Sequence, residues 1–115
     1  MWWNKLVFIL ATAIISGCST TSNHSNSICP ERPNTYVKAI GVYDGPIADL
    51  ALLLPDEASE TDGFWNLAYV YDAGRTVNVR CQYSDKTNLD IHLEQPVDQC
   101  RFQIVNETST IFRCR

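Results

Sequence analysis

The chain has 115 residues, with nine basic and thirteen acidic side chains and a formal charge of −4. That length holds one small domain and excludes two independent cores. The acidic balance excludes a general nucleic-acid binder, which needs a dominant basic footprint.

The chain opens with Lys5 and an apolar run from Leu6 to Ile15, followed by small residues. A charged start, a short apolar core and a small-residue end make a secretory signal, too short to span a bilayer. Ile15-Ser16-Gly17-Cys18 resembles the lipobox of bacterial lipoprotein precursors. The resemblance implies that residues 1–17 are a signal peptide cut off ahead of Cys18. It also implies diacylglycerol on the Cys18 sulfur and an acyl chain such as palmitate on the new amino terminus. Each buried methylene contributes about 0.8 kcal/mol, so two or three chains anchor a protein stably. Ser19 stands where an aspartate would hold an enterobacterial lipoprotein at the inner membrane, so the expected address is the outer membrane, facing the periplasm.

Residues 18–28 follow as a flexible tether of Ser, Thr, Asn and His, with too little apolar surface to order itself. The domain is expected to run from 29 to 115. With Cys18 lipidated, Cys29, Cys81, Cys100 and Cys114 remain, an even number in an oxidising compartment, which reads as two disulfides. No Cys-x-x-Cys pair is present, so neither a metal nor a cofactor is expected.

Tyr36 to Tyr43 reads as a first strand. Asp44-Gly45-Pro46 is a helix-start signal, and Ile47, Leu50, Ala51 and Leu54 follow at the spacing of a helical apolar stripe, stopped by Pro55. The expectation is a two-turn amphipathic helix, then an acidic loop from Asp56 to Gly63. From Phe64 the period becomes two. Trp65, Leu67 and Tyr69 are followed by Val77, Val79, Cys81 and Tyr83, then Leu89, Ile91 and Leu93, then Cys100, Phe102 and Ile104, and finally Thr110, Phe112 and Cys114. These read as five strands joined by short turns. Turns at Asp72-Ala73-Gly74 and Ser84-Asp85-Lys86, a loop through Pro96 and a turn at Glu107 set Trp65 opposite Cys81, Leu67 opposite Val79, Val79 opposite Ile91, Ile91 opposite Phe102, and Phe102 opposite Phe112. Every apolar set then shares one face.

The predicted fold class is α+β: an antiparallel β-meander of five or six strands, with the short amphipathic helix packed on its apolar face. In this register Cys100 and Cys114 are cross-strand neighbours, while Cys81 lies two strands or more away. Disulfide bonding needs Cα atoms within about 7 Å, which leaves Cys29–Cys81 and Cys100–Cys114. Each bridge adds roughly 2–4 kcal/mol.

His92, flanked by Asp90 and Glu94 on one strand face, is the one candidate for acid–base or metal chemistry, and a solvated strand face is the preferred reading. No nucleophile elbow, zinc-protease or phosphate-loop motif occurs. The outer face carries a stronger lead. Arg80 is set opposite Asp90, His92 opposite Arg101, and Arg101 opposite Arg113. Two opposed like charges cost stability unless an anionic group lies between them. Arg101, Arg113, His92 and the turn residue Lys86 are therefore the candidate partner-binding residues.

Cys29-Pro30, Asp44-Gly45-Pro46, Leu53-Leu54-Pro55-Asp56, Trp65, Arg80-Cys81-Gln82-Tyr83, Cys100 and Cys114 together resemble a family of small, uncharacterised periplasmic proteins of enterobacteria. In that family a second proline often stands where this chain has Ile47. The resemblance implies a disulfide-bonded periplasmic domain without known enzymatic activity. The expected function is a membrane-anchored, non-catalytic binding or inhibitory module, immunity-like, for a periplasmic protein. The alternatives are an envelope structural lipoprotein contacting peptidoglycan or an outer-membrane complex, and an enzyme using His92 with Asp90.

Overall fold

In a computed structural model, which describes residues 27–115, eight strands and one short helix build two four-stranded antiparallel sheets. Residues 1–26, where the signal peptide, the lipidated Cys18 and most of the tether are expected, lie outside the described residues. Among those described, no helix is long and apolar enough to cross a membrane.

The strands are β1 (Val37–Asp44), β2 (Leu52–Leu53), β3 (Glu57–Ala58), β4 (Asp62–Asn66), β5 (Val77–Tyr83), β6 (Asn88–Leu93), β7 (Gln99–Asn106) and β8 (Ser109–Cys114), with α1 (Ala68–Asp72) between β4 and β5. The first sheet has the order β2-β1-β5-β6 and the second β3-β4-β7-β8. Their inner faces enclose one core, with Val42, Val77, Val79 and Cys81 from the first sheet and Trp65, Cys100 and Phe112 from the second. In β1 a bulge between Val37 and Ala39 lets Val37, Ile40 and Val42 all meet the inner-face positions Tyr83, Cys81 and Val79 of β5.

Two of the expected hairpins are present in the expected register. β5 and β6 set Cys81 opposite Leu89, Val79 opposite Ile91 and Arg80 opposite Asp90. β7 and β8 set Cys100 opposite Cys114, Phe102 opposite Phe112 and Arg101 opposite Arg113. The disulfides are Cys29–Cys81 and Cys100–Cys114, with Cα atoms 5.8 and 4.0 Å apart.

The single meander is not what these hairpins build. Trp65 lies opposite Cys100, not Cys81, because β4 pairs with β7. Val79 lies opposite Val42, because β5 pairs with β1. Ile91 and Phe102 belong to different sheets. The cause is local and sits at Gly74. Asp72-Ala73-Gly74 is the end of α1, not a hairpin turn. Gly74 is left-handed (φ 82°), its N–H donates to the Tyr71 carbonyl, and the Arg75 N–H donates to the Val70 carbonyl. That is a Schellman cap. A left-handed glycine serves a hairpin bulge or a helix stop equally well, and the buried pair three apart, Leu67 at the helix's N-cap and Val70 within it, has helical spacing. The helix turns the chain out of one sheet and into the other.

The expected amphipathic helix from Ile47 to Leu54 is also absent. Ile47–Asp49 makes one 3-10 turn, closed by Leu50 in the left-handed region (φ 57°), and the chain then reverses. Val42 lies opposite Leu53 and Tyr43 opposite Leu52, so the segment is the return strand of a hairpin. A two-turn helix is marginal alone, whereas the extended segment gains ladder bonds to β1. Ser27 and Ile28, read as tether, are bonded to Phe112: the Ile28 N–H reaches its carbonyl at 2.7 Å, and the Ser27 hydroxyl accepts from its N–H at 3.1 Å.

Candidate functional site

The two sheets close on each other at the α1 end and part at the other. The gap is a cleft of about 310 Å³, walled by Val37, Ile40 and Leu53 from the first sheet and by Trp65, Phe102 and Ile104 from the second. These are inner-face side chains that the core does not cover completely. Phe102 reaches its position because Gly63 lies beneath it. A Cβ on Gly63 would sit 2.6 Å from the ring and 2.6 Å from the Glu57 carbonyl oxygen.

Along one rim runs the β1–β2 hairpin, where Leu50, Leu52 and Leu54 are 76%, 53% and 79% exposed. The sequence assigned Leu50 and Leu54 to a buried helical stripe; the extended backbone turns them outward instead. Three exposed leucines within five residues forgo about 1.5–3 kcal/mol of burial each, and such a patch beside a groove marks an interaction surface. Their alternation at every second position was the signal in the sequence. It was outweighed by the helical spacing of Ile47, Leu50, Ala51 and Leu54.

Rigid bonds hold this rim. The Trp65 Nε1–H donates to the Leu53 carbonyl at 3.0 Å. The Asp56 N–H donates to the Phe64 carbonyl, and the Asp56 carboxylate accepts from the Asn66 N–H at 2.6 Å. Beyond Pro55 the chain is acidic: Glu57 and Glu60 are exposed, as is Asp62, which lies opposite Gln103 in β7. The Ile104 N–H donates to the Thr61 carbonyl, which ties this acidic turn to β7, while Glu57 lies opposite Phe64 on the outer face of the sheet.

The residues singled out in the sequence divide into separate places. Arg101 and Arg113 are brought together on the outer face of the second sheet, beside Gln99 and Arg115. Arg101 lies over the Phe64 ring, 5.0 Å from its centroid. Among the described residues the ion pairs are Arg75–Asp44 and Arg80–Asp90, and neither involves these arginines. His92 is not opposite Arg101. It lies in the other sheet opposite Asn78, with Nδ1 2.8 Å from the Asn78 Oδ1. Nor does it pair with Asp90, whose carboxylate takes two bonds from Arg80, at 2.7 and 2.9 Å. Hydrogen bonding from that guanidinium holds the Asp90 carboxyl below the usual carboxylate range. The candidate acid–base pair of Asp90 and His92 is thus not formed. Among the described residues no three His, Cys, Asp or Glu side chains are grouped to hold a metal.

Lys86 stands apart from both, at a left-handed turn position (φ 73°). The turn is fixed by the Lys86 N–H on the Tyr83 carbonyl and by Asp85, which accepts from the Thr87 N–H and hydroxyl. These Thr87 bonds lower the Asp85 pKa. The geometry therefore offers an apolar cleft, a separate arginine face and a rigid lysine turn, all suited to contact with a protein.

Comparison with known proteins agrees with that reading. No curated protein and no solved structure matches the chain. The family model for the type VI secretion system Tli immunity protein matches residues 31–115, nearly the whole of the described fold. The chain therefore belongs to the type VI secretion system Tli immunity protein family.

Proposed function

We propose that the chain is a periplasmic lipoprotein that binds an effector protein and blocks it without catalysis of its own. It is anchored at Cys18 in the outer membrane and carries its domain (29–115) on a short tether. The observation that carries this reading is the family match, which spans both sheets and favours an inhibitory module over an envelope structural one. Two disulfides fit a secreted, oxidising address. The lipobox spelling at Ile15-Ser16-Gly17-Cys18 supports the anchor. Arg101 and Arg113, opposite each other across β7 and β8, are a second contact region for a carboxylate or phosphate on the partner.

A competition assay tests this. Cells lacking the gene are mixed with sister cells that deliver type VI effectors. The expected outcome is loss of the mutant, restored survival with the intact gene, and weaker protection from Cys18→Ala, which cannot be lipidated. Equal survival with and without the gene would end the proposal.

A further inference from the structure

Three of the chain's nine basic residues stand on one patch of the second sheet's outer face. The register puts them there. Gln99 and Arg115 exchange both backbone hydrogen bonds, at 3.2 and 2.9 Å, and two residues along, Arg101 lies opposite Arg113. Side chains two apart on a strand point the same way, so Gln99, Arg101, Arg113 and Arg115 share one surface. Opposed Cα atoms in such a ladder are about 5.5 Å apart, and those two apart along a strand about 7 Å. Together the four side chains line an open concavity of about 400 Å³.

Neutral groups hold two of the guanidinium groups. Arg101 lies over the Phe64 ring, 5.0 Å from its centroid. The Arg115 Nη2 donates to the Gln99 Oε1 at 3.4 Å, and the Gln99 Nε2 donates to the Asn66 Oδ1 at 3.2 Å. These contacts orient the arginines and leave their charge uncompensated. Among the described residues the ion pairs are Arg75–Asp44 and Arg80–Asp90. Glu57 and Asp62 lie opposite Phe64 and Gln103, Asp98 adjoins Gln99, and none of the three pairs with an arginine. Like charges so placed repel one another until an anionic group lies among them.

The charge at the patch selects its occupant. The chain is acidic overall, at −4, so a partner bearing carboxylates is repelled by the molecule at large and attracted here, which fixes how it docks. Guanidinium forks receive carboxylates bidentately, and arginine beside an aromatic ring is a frequent hot-spot composition. An anionic membrane fits less well. Lipid surfaces recruit clusters of about four to eight Lys or Arg, and this patch has three, with Glu57 and Asp62 in the same sheet. A two-fold axis through the patch would set arginine against arginine, which disfavours a second copy. Residues 19–28 carry no carboxylate with which the chain could cap the patch itself.

We propose that the patch formed by Gln99, Arg101, Arg113 and Arg115 docks an acidic segment of the effector, one that presents at least two neighbouring Asp or Glu side chains. The proposal rests on the immunity reading and specifies the chemistry of this contact as protein carboxylate. One carboxylate bridges Arg101 and Arg113, and a second meets Arg115. Covering Phe64 excludes water from these pairs and strengthens them.

The test uses the full lipidated chain in the competition assay, with two variants of equal charge change. Arg101→Gln/Arg113→Gln removes two cations of the patch. Arg75→Gln/Arg80→Gln removes the two arginines of the ion pairs, outside the patch, as a control. The expected result is roughly tenfold or greater loss of survivors for the first, as for loss of a hot spot, and none for the control. The melting temperature of Arg101→Gln/Arg113→Gln should be at or above the parent's, so that lost protection is not lost folding. Protection equal to the parent's, or an equal loss in both variants, overturns the proposal while leaving the immunity reading intact. Failure of the parent itself to protect sinks that reading instead.

A photocrosslinker in place of Gln103, exposed beside Arg101 on the same strand face, reads the occupant directly during attack. An adduct with a delivered effector, mapped to a segment with neighbouring Asp or Glu residues, supports the proposal. An adduct with lipid, with a second copy or with an effector segment lacking carboxylates overturns it, as does no adduct.

Discussion

The indole N–H of Trp65 donates to the carbonyl of Leu53 at 3.0 Å, and through this one bond a core residue of the second sheet holds an edge strand of the first. The Trp65 ring is itself fixed, lying 5.7 Å from Phe102 and 5.8 Å from Phe112, the latter edge-on. The cleft thus has one wall positioned by the other. Trp65→Phe keeps an aromatic ring but leaves the Leu53 carbonyl without this donor. The expected cost is about 1–3 kcal/mol by urea denaturation. Limited proteolysis should cut faster between residues 50 and 58. Unchanged proteolysis would show that the bond does not hold the rim.

Two glycines separate steric from conformational effects. Gly63→Ala places a Cβ within 2.6 Å of both backbone and the Phe102 ring. Overpacking of this kind costs about 1–3 kcal/mol and should displace the cleft wall. Gly45→Ala meets nothing within 4 Å but occupies a left-handed site (φ 88°). It should cost about 1 kcal/mol and leave Phe102 in place. Thermal unfolding gives the two costs, and near-ultraviolet circular dichroism of the aromatic cluster reports the displacement.

The disulfides differ in the length of chain that they close. Cys29–Cys81 spans 52 residues and Cys100–Cys114 spans 14. On the chain-entropy account, replacing both cysteines of the longer loop by alanine should cost about 1 kcal/mol more than replacing both of the shorter one. Equal losses in urea would point to native-state packing as the main source of their stabilisation.

Acid should weaken the fold through Asp90 and Asp85. Both carboxyls sit below the usual range in the folded chain, Asp90 chiefly through Arg80 and Asp85 chiefly through Thr87. As pH falls, the unfolded chain therefore takes up protons first. The stabilisation is fully present above about pH 4 and is lost as pH falls through the lower folded-state values. Asp90→Asn should flatten part of this acid limb. The pair is at the surface, so the change is a few tenths of a kcal/mol. An unaltered acid limb in Asp90→Asn would show that Arg80 contributes nothing to it.

Arg101 and Arg113 face each other directly across β7 and β8. Arg113→Gln should raise stability by a few tenths of a kcal/mol at low salt, with the gain shrinking as salt screens the repulsion. No gain at low salt would mean that the two guanidinium groups turn away from each other into water.

The hairpins β5–β6 and β7–β8 were legible in the sequence because their strands are adjacent and a short turn fixes the register, down to Arg80 opposite Asp90 and Cys100 opposite Cys114. The pairings β1 with β5 and β4 with β7 were not. Alternation says only which side chains share a face, and two sheets closing on one core satisfy it as well as one continuous sheet. Gly74 concealed the division, since its left-handed backbone suits a helix cap as well as a hairpin. Of the candidate contacts, the opposed arginines were readable as strand neighbours. The cleft was not, because it is made by two sheets that do not adjoin in sequence.

The sequence by itself determined what depends on composition and short range. It held the cysteine set, the alternation of apolar side chains and the two tight hairpins, since these follow from residue type and from turns of a few residues. The tertiary structure alone decided that the chain divides into two sheets at α1, that Leu50, Leu52 and Leu54 face outward, and that the cleft stands open between Leu53 and Phe102. Those outcomes depend on which distant strands gain most by pairing, a comparison among long-range contacts that no local pattern contains.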